Sequence, residues 1–199
     1  MTIGPGLFVA IVGPSGAGKD SVIRGLAERM GEAIVVARRV VTRPSDAHED
    51  HDTLDEDAFA RAERAGRFAL AWAAHGLRYG VPVEVDVAIG EGRIVIGNIS
   101  RAAVAAARAR YARCAIVLVT ARPEILAARL AARGREGATG RRDRLERAPE
   151  GAIEPDLVID NNGGLDNAIT ALYRFVAAHC PSVPLEFDPL RNLPRARQG

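Results

Sequence analysis

Leu7-Phe8-Val9-Ala10-Ile11-Val12 runs without a polar residue into Gly13-Pro14-Ser15-Gly16-Ala17-Gly18-Lys19-Asp20-Ser21. Six apolar residues closed by a glycine-rich turn read as a strand buried on both faces. From Lys19 to about Met30 apolar residues recur at helical spacing, which predicts a helix. Strand, turn and helix in that order enclose Gly13-x-x-x-x-Gly18-Lys19, a spacing that cradles phosphate. The glycines let successive backbone N–H groups face one centre, and the helix N-terminus adds its dipole. The lysine reaches the outer phosphates as a point charge. Gly13, Pro14, Ser15, Gly16, Ala17, Gly18, Lys19, Asp20 and Ser21 are therefore the candidate nucleotide site, with Lys19 as its catalytic cation.

Lys19 stands out for a second reason. The chain holds 27 basic residues, and 26 of them are arginines. Lysine survives only in the phosphate turn, where a compact ammonium does what a planar guanidinium cannot. Asp20 occupies the position where the motif usually carries Ser or Thr, the magnesium-binding hydroxyl. A carboxylate beside a triphosphate is repelled unless a cation lies between them, so Asp20 is the candidate Mg²⁺ ligand. The alternative is a first-turn acid that only complements the helix dipole. Ser21 is placed to hydrogen-bond an α-phosphate.

Outward from this turn, short apolar runs recur at residues 34–37, 94–96, 115–119 and 157–159. Helical stretches lie between them, clearest at 102–111, 123–133 and 165–178. Strands alternating with helices predict an α/β fold with a parallel sheet covered on both faces. Two stretches break the alternation. Residues 43–81 read as an insert with a helix near 55–65. Residues 133–148 are rich in arginine and punctuated by Gly134, Gly137 and Gly140, the composition of a mobile lid or of a solvated charged helix. The tail 181–199 carries four prolines and predicts irregular structure. The expected organisation is one catalytic domain over residues 1–180 and a Pro-rich tail over 181–199.

Composition narrows the function. In 199 residues, 48% are hydrophobic, which is material for a real core. The net charge is +2, too balanced to predict bulk binding of nucleic acid or membrane. No apolar run approaches the ~18–20 residues of a membrane span, and no basic leader segment is expected. Two distant cysteines, Cys114 and Cys180, predict neither a disulfide framework nor a cysteine zinc site, and so a reducing, cytoplasmic setting.

With the turn placed, the chain resembles the guanylate kinase superfamily of P-loop enzymes. The resemblance is carried in order by the phosphate turn, Val41-Thr42-Arg43-Pro44, Leu77-Arg78-Tyr79-Gly80, Arg133-Gly134-Arg135-Glu136 and Asp160-Asn161-Asn162. It covers about residues 7–178. Within the superfamily the chain is most similar to the ribose 1,5-bisphosphate phosphokinases. That similarity rests on Gly18-Lys19-Asp20-Ser21, Thr42-Arg43-Pro44-Ser45-Asp46-Ala47, Phe68-Ala69-Leu70, Trp72 and Gly76-Leu77-Arg78-Tyr79-Gly80-Val81. It implies transfer from Mg²⁺-bound ATP to ribose 1,5-bisphosphate, forming 5-phosphoribosyl 1-diphosphate, typically in phosphonate breakdown. The implied protein is a monomer or homodimer acting on ATP and a small sugar bisphosphate.

By the same resemblance Arg43 binds the acceptor phosphate, Arg135 and Arg144 close over the transferring group, and Asn161 lies near the adenine. Glu49 and His51 are candidate contacts to sugar hydroxyls, and Tyr79 to a phosphate. The residues with which guanylate kinases read guanine are missing. Their neighbourhoods hold Leu70-Ala71, Val81 and Asn98, and a site built to hydrogen-bond a base fails without those groups. The rival readings are a nucleoside monophosphate kinase of altered base preference and a non-catalytic guanylate-kinase-like binding module.

Overall fold

A computed structural model describes residues 1–44, 51–132 and 153–180. Its centre is a five-stranded, wholly parallel sheet of β1 (Leu7–Val12), β2 (Ile34–Val36), β7 (Ile94–Asn98), β8 (Cys114–Thr120) and β9 (Leu157–Asp160). The strand order is β2-β7-β1-β8-β9. β1 lies in the middle, and all six of its residues are buried. Their alternation feeds two cores, because successive side chains of a strand leave on opposite faces. Leu7, Val9 and Ile11 join one cluster with Val22 and Leu26, Leu126 and Leu172. Phe8, Ala10 and Val12 join the other, with Val85, Ile89, Val104 and Ala107.

The helices follow the apolar periodicity. On the first face lie α1 (Lys19–Met30), α5 (Pro123–Ala132) and α6 (Leu165–Ala177); on the second lie α3 (Val85–Gly90) and α4 (Val104–Arg110). Arg29 ties α1 to α6 by pairing with Asp166 and by donating to Thr170 Oγ1 at 2.8 Å. Asp86 ties α3 to the end of α4. It pairs with Arg110 and accepts from Tyr111 Oη at 3.0 Å, while the Tyr111 ring stacks on Phe8 at 4.8 Å. Burial, aided by the Asp86 carboxylate, holds the Tyr111 phenol well above its ordinary pKa.

A second sheet of four strands, in the order β4-β3-β6-β5, comprises β3 (Arg39–Val41), β4 (His51–Thr53), β5 (Phe68–Ala74) and β6 (Leu77–Pro82). The stretch 43–81, expected as an insert, falls within its span. β5 and β6 form a hairpin whose two turn residues, His75 and Gly76, both have positive φ, as the tightest hairpins require. The helix expected near 55–65 is α2 (Glu56–Arg64), capped by Asp55, whose side chain accepts from Ala58 N at 2.7 Å. Phe59 of α2 stacks on Phe68 of β5 at 4.6 Å. The segment 133–148 and the tail 181–199 lie outside the described residues. Among the described residues no helix is long and apolar enough to cross a membrane.

Candidate active site

The phosphate turn opens where β1 ends, at the carboxyl edge of the sheet. Gly13 is held against β8. A Cβ there would sit 2.0 Å from the Val119 carbonyl oxygen, and its φ is +147°, so no side chain fits. Gly18 closes the turn in the left-handed region and serves as N-cap of α1. A Cβ on Gly18 would lie 2.6 Å from Asn161 Nδ2. The backbone therefore approaches its neighbours as closely as glycine alone allows, leaving a concave turn at a helix N-terminus, the ordinary anion site.

Lys19 curls back over the turn. Its ammonium donates to the Gly13 carbonyl at 2.9 Å and to the Pro14 carbonyl at 3.0 Å. Behind the turn stands Asn161, 2% exposed, just after β9. Its Nδ2 donates to the Ala17 carbonyl at 2.8 Å, and its backbone N–H to the Thr120 carbonyl at 2.8 Å. Arg129 of α5 bridges the same two segments, reaching the Asn161 carbonyl at 3.0 Å and the Gly16 carbonyl at 3.4 Å. Two side chains from distant segments thus brace the turn from behind.

On the opposite side Asp20, in the first turn of α1, is held from two directions. Its Oδ1 accepts from Asn98 Nδ2 at 2.7 Å and faces Arg39 Nη2 at 3.4 Å. Asn98 ends β7 and is 6% exposed. Arg39 begins β3, so it reaches the phosphate turn from the second sheet. Among the described residues no group of three His, Cys, Asp or Glu side chains converges. One carboxylate beside a phosphate cradle suits Mg²⁺, which binds one or two carboxylates and takes substrate phosphates and water for the rest.

The structure thus brings Gly13 through Ser21 together with Asn161. Arg43 follows β3 in the second sheet, where its carbonyl accepts from Thr53 Oγ1 at 3.0 Å. Tyr79 of β6 is half-buried and stacks in parallel on Trp72 of β5, ring centres 5.4 Å apart. His51 is buried on β4, with Nδ1 3.2 Å from the Asp52 carbonyl. Arg135, Arg144 and Glu49 lie outside the described residues. Sequence reasoning passed over Arg129 and Arg39, which nothing local separates from the other arginines. Asn98 had a usable signal: it is the polar residue ending an apolar strand beside β1, and such carboxyl ends face the ligand crevice in open α/β sheets.

Fold and turn together define a P-loop protein built on the guanylate kinase plan. A guanylate kinase from Anaplasma phagocytophilum superimposes with a TM-score of 0.67 over 99% of this chain and 97% of that one, at 19% identity. A sugar kinase from Janibacter superimposes with a TM-score of 0.51, at 20% identity, over 87% of this chain and 95% of its own. A family model described as an AAA domain matches residues 9–150. Similarity in sequence is much closer to proteins named ribose 1,5-bisphosphate phosphokinase PhnN. The one from Pseudofrankia inefficax is 45% identical over 87% of this chain and 92% of its own length. That from Methylobacterium radiotolerans is 47% identical over 87% and 99%, and that from Acidiphilium cryptum 48% over 90% and 96%. The chain belongs to the ribose 1,5-bisphosphate phosphokinase family.

Proposed function

We propose that the protein transfers the γ-phosphoryl group of ATP to the 1-phosphate of ribose 1,5-bisphosphate, giving 5-phosphoribosyl 1-diphosphate and ADP in the cytoplasm. An oxygen of the acceptor phosphate forms the new P–O bond, and the bond from the γ-phosphorus to the bridging oxygen of ADP breaks. A phosphate monoester has a second pKa near 6, so at neutral pH the acceptor is already a nucleophilic dianion and no general base is required. The obstacle is repulsion. Each pair of unit charges ~4 Å apart costs ~4 kcal/mol at an effective dielectric near 20. The chain must supply cations and alignment.

The assignments follow from that need. The turn from Gly13 to Gly18 would hold the ATP phosphates on backbone N–H groups, with Asn161 and Arg129 keeping it rigid. Asn161, just after β9, is also assigned to the neighbourhood of the adenine. Lys19 would exchange its two carbonyl partners for phosphate oxygens. Asp20 would hold Mg²⁺, which when bound screens the charge on the phosphate oxygens. Arg43 is assigned to the acceptor phosphate from the second sheet, and Arg135 and Arg144 to the transferring group. In domain terms, we assign residues 1–180 to the kinase domain and 181–199 to a Pro-rich tail.

The burial of Leu70 and Val81 carries the choice of acceptor. These residues stand where the resemblance places two guanine-reading side chains. They face each other across β5 and β6, at 3% and 0% exposure, inside the second hydrophobic cluster. Neither offers a donor or acceptor to a base. Asn98, at the third position, is committed to Asp20 at 2.7 Å. A sugar phosphate has no base edge for these three positions to read.

Release of ADP measured with ribose 1,5-bisphosphate and with GMP in parallel, the product identified by ³¹P NMR, tests the reading. Turnover is expected with the sugar bisphosphate, formation of a diphosphate signal with it, and loss of both in Lys19→Ala. Turnover with GMP alone would refute it.

A further inference from the structure

Arg39 reaches from the second sheet to Asp20, in the helix turn that follows the phosphate loop. It begins β3, four residues before Arg43, and is paired in register with His51 of β4. Its side chain is only 12% exposed, although it ends in a guanidinium. Among the described residues its sole polar contact is Nη2 to Asp20 Oδ1 at 3.4 Å. That is a long contact for a charge pair, whose N···O distances usually run ~2.7–2.9 Å. A guanidinium carries five N–H donors in a fixed fork and binds phosphate best through two at once. Here one donor is engaged, at long range. Asp20 does not depend on the contact either, because Asn98 already holds the same oxygen at 2.7 Å.

We propose that Arg39 is a further acceptor-phosphate residue of this site, held loosely on Asp20 until the acceptor arrives. The proposal rests on the phosphotransferase reading above. The sheet of origin decides between the two substrates. ATP is met by the backbone of the turn and by Lys19, both on the first sheet. Arg39 comes from the sheet that bears Arg43 and stands between that sheet and the turn, where an acceptor phosphate must lie to meet the γ-phosphoryl group. A dianion offering two oxygens to the fork outcompetes a single carboxylate oxygen at 3.4 Å. Asp20 then acts as a competitor for the guanidinium, which fixes the sign of a test needing neither nucleotide nor metal.

Calorimetric titration with ribose 1,5-bisphosphate alone, in chelator, reads the competition directly. Arg39→Ala is expected to weaken acceptor binding about tenfold or more, and Arg39→Lys less, since an ammonium keeps the charge and loses the fork. Asp20→Asn is expected to tighten acceptor binding several-fold by freeing the guanidinium, and the double variant Arg39→Ala/Asp20→Asn to lose that gain, the mark of coupled sites. Thermal unfolding confirms that each variant folds, and the lysine variant keeps the test open where alanine does not. Unchanged acceptor affinity in Arg39→Ala and Arg39→Lys overturns the proposal, as does weaker binding in Asp20→Asn. A wild-type protein that turns over GMP and not the sugar bisphosphate refutes the phosphotransferase reading instead, a separate result.

Discussion

Gly18→Ala separates two costs that are usually merged. Gly18 has φ +87°, and an added Cβ would lie 2.6 Å from Asn161 Nδ2. Left-handed backbone costs a residue with a Cβ about 1–2 kcal/mol. The clash adds to this. Asn161 must shift, and Nδ2 then leaves the Ala17 carbonyl, which it meets at 2.8 Å between buried residues. A buried group stripped of its partner costs about 1–3 kcal/mol. The total is about 2–5 kcal/mol, or roughly 4–20 °C in melting temperature at about 2–4 °C per kcal/mol for a chain of this size. Gly76→Ala is the matched control. It has φ +72°, and a Cβ added there would meet nothing within 4 Å, so only the backbone cost applies, about 2–8 °C. Thermal unfolding, with ATP affinity by calorimetry, reads both. Gly18→Ala should also weaken ATP binding, and Gly76→Ala should leave it within about twofold, because the first moves loop N–H groups and the second a hairpin tip. In the background Asn161→Ala the clash has no target, so adding Gly18→Ala should cost no more than Gly76→Ala does. Equal melting losses for Gly18→Ala and Gly76→Ala in the wild-type background would refute the bracing argument.

Two further outcomes follow from other contacts. Asn98→Ala removes the shorter of the two donors on Asp20, and is expected to lower kcat about tenfold and raise the Mg²⁺ concentration needed for half-maximal rate, as loss of a charge-assisted bond worth ~1.5–3 kcal/mol implies; an unchanged Mg²⁺ titration would detach Asp20 from the metal. Burial pushes the Cys114 thiol up to about 11, against about 8.5 for a free cysteine, so its alkylation at pH 8, followed by peptide mass spectrometry, should be ~10²-fold slower than that of a free thiol. The folded state holds this proton more tightly than the unfolded chain, so the thiol's contribution to stability is complete below the ordinary thiol pKa and is lost as pH climbs toward about 11. Alkylation at the free-cysteine rate would contradict that burial.

What the sequence made legible is what short range determines. The run Leu7–Val12 is apolar throughout because β1 is central and covered on both faces, and its reading as a buried strand needed no partner. The same holds for α1, α5 and α6, whose apolar faces repeat over successive turns. β3 and β4 were illegible because their three residues each form neither a period nor, unlike the equally short β2, a continuous apolar run. β5, Phe68-Ala69-Leu70-Ala71-Trp72-Ala73-Ala74, was obscured by alanine, which is apolar on the buried and the exposed side alike. Asp20 was singled out from the motif, but its holders lie 19 and 78 residues away in sequence. Only the register of β7 beside β1 and the path of β3 bring them there.

The lone lysine shows how far local chemistry reaches. In a chain that uses arginine at 26 basic positions, a bias toward arginine alone would have replaced Lys19 too. The structure gives a physical reason that it did not. Two carbonyls of the turn, Gly13 and Pro14, lie 2.9 and 3.0 Å from one nitrogen. A tetrahedral ammonium aims separate protons at both. A guanidinium spreads its donors over a wider planar fork, and the turn has no slack to widen, since Gly13 already touches the Val119 carbonyl and Gly18 the Asn161 amide as closely as glycine permits. Lysine is retained where the backbone has closed to the limit set by its own atoms, so the residue that compositional bias spared and the residue the phosphate turn requires are the same one for a single steric reason.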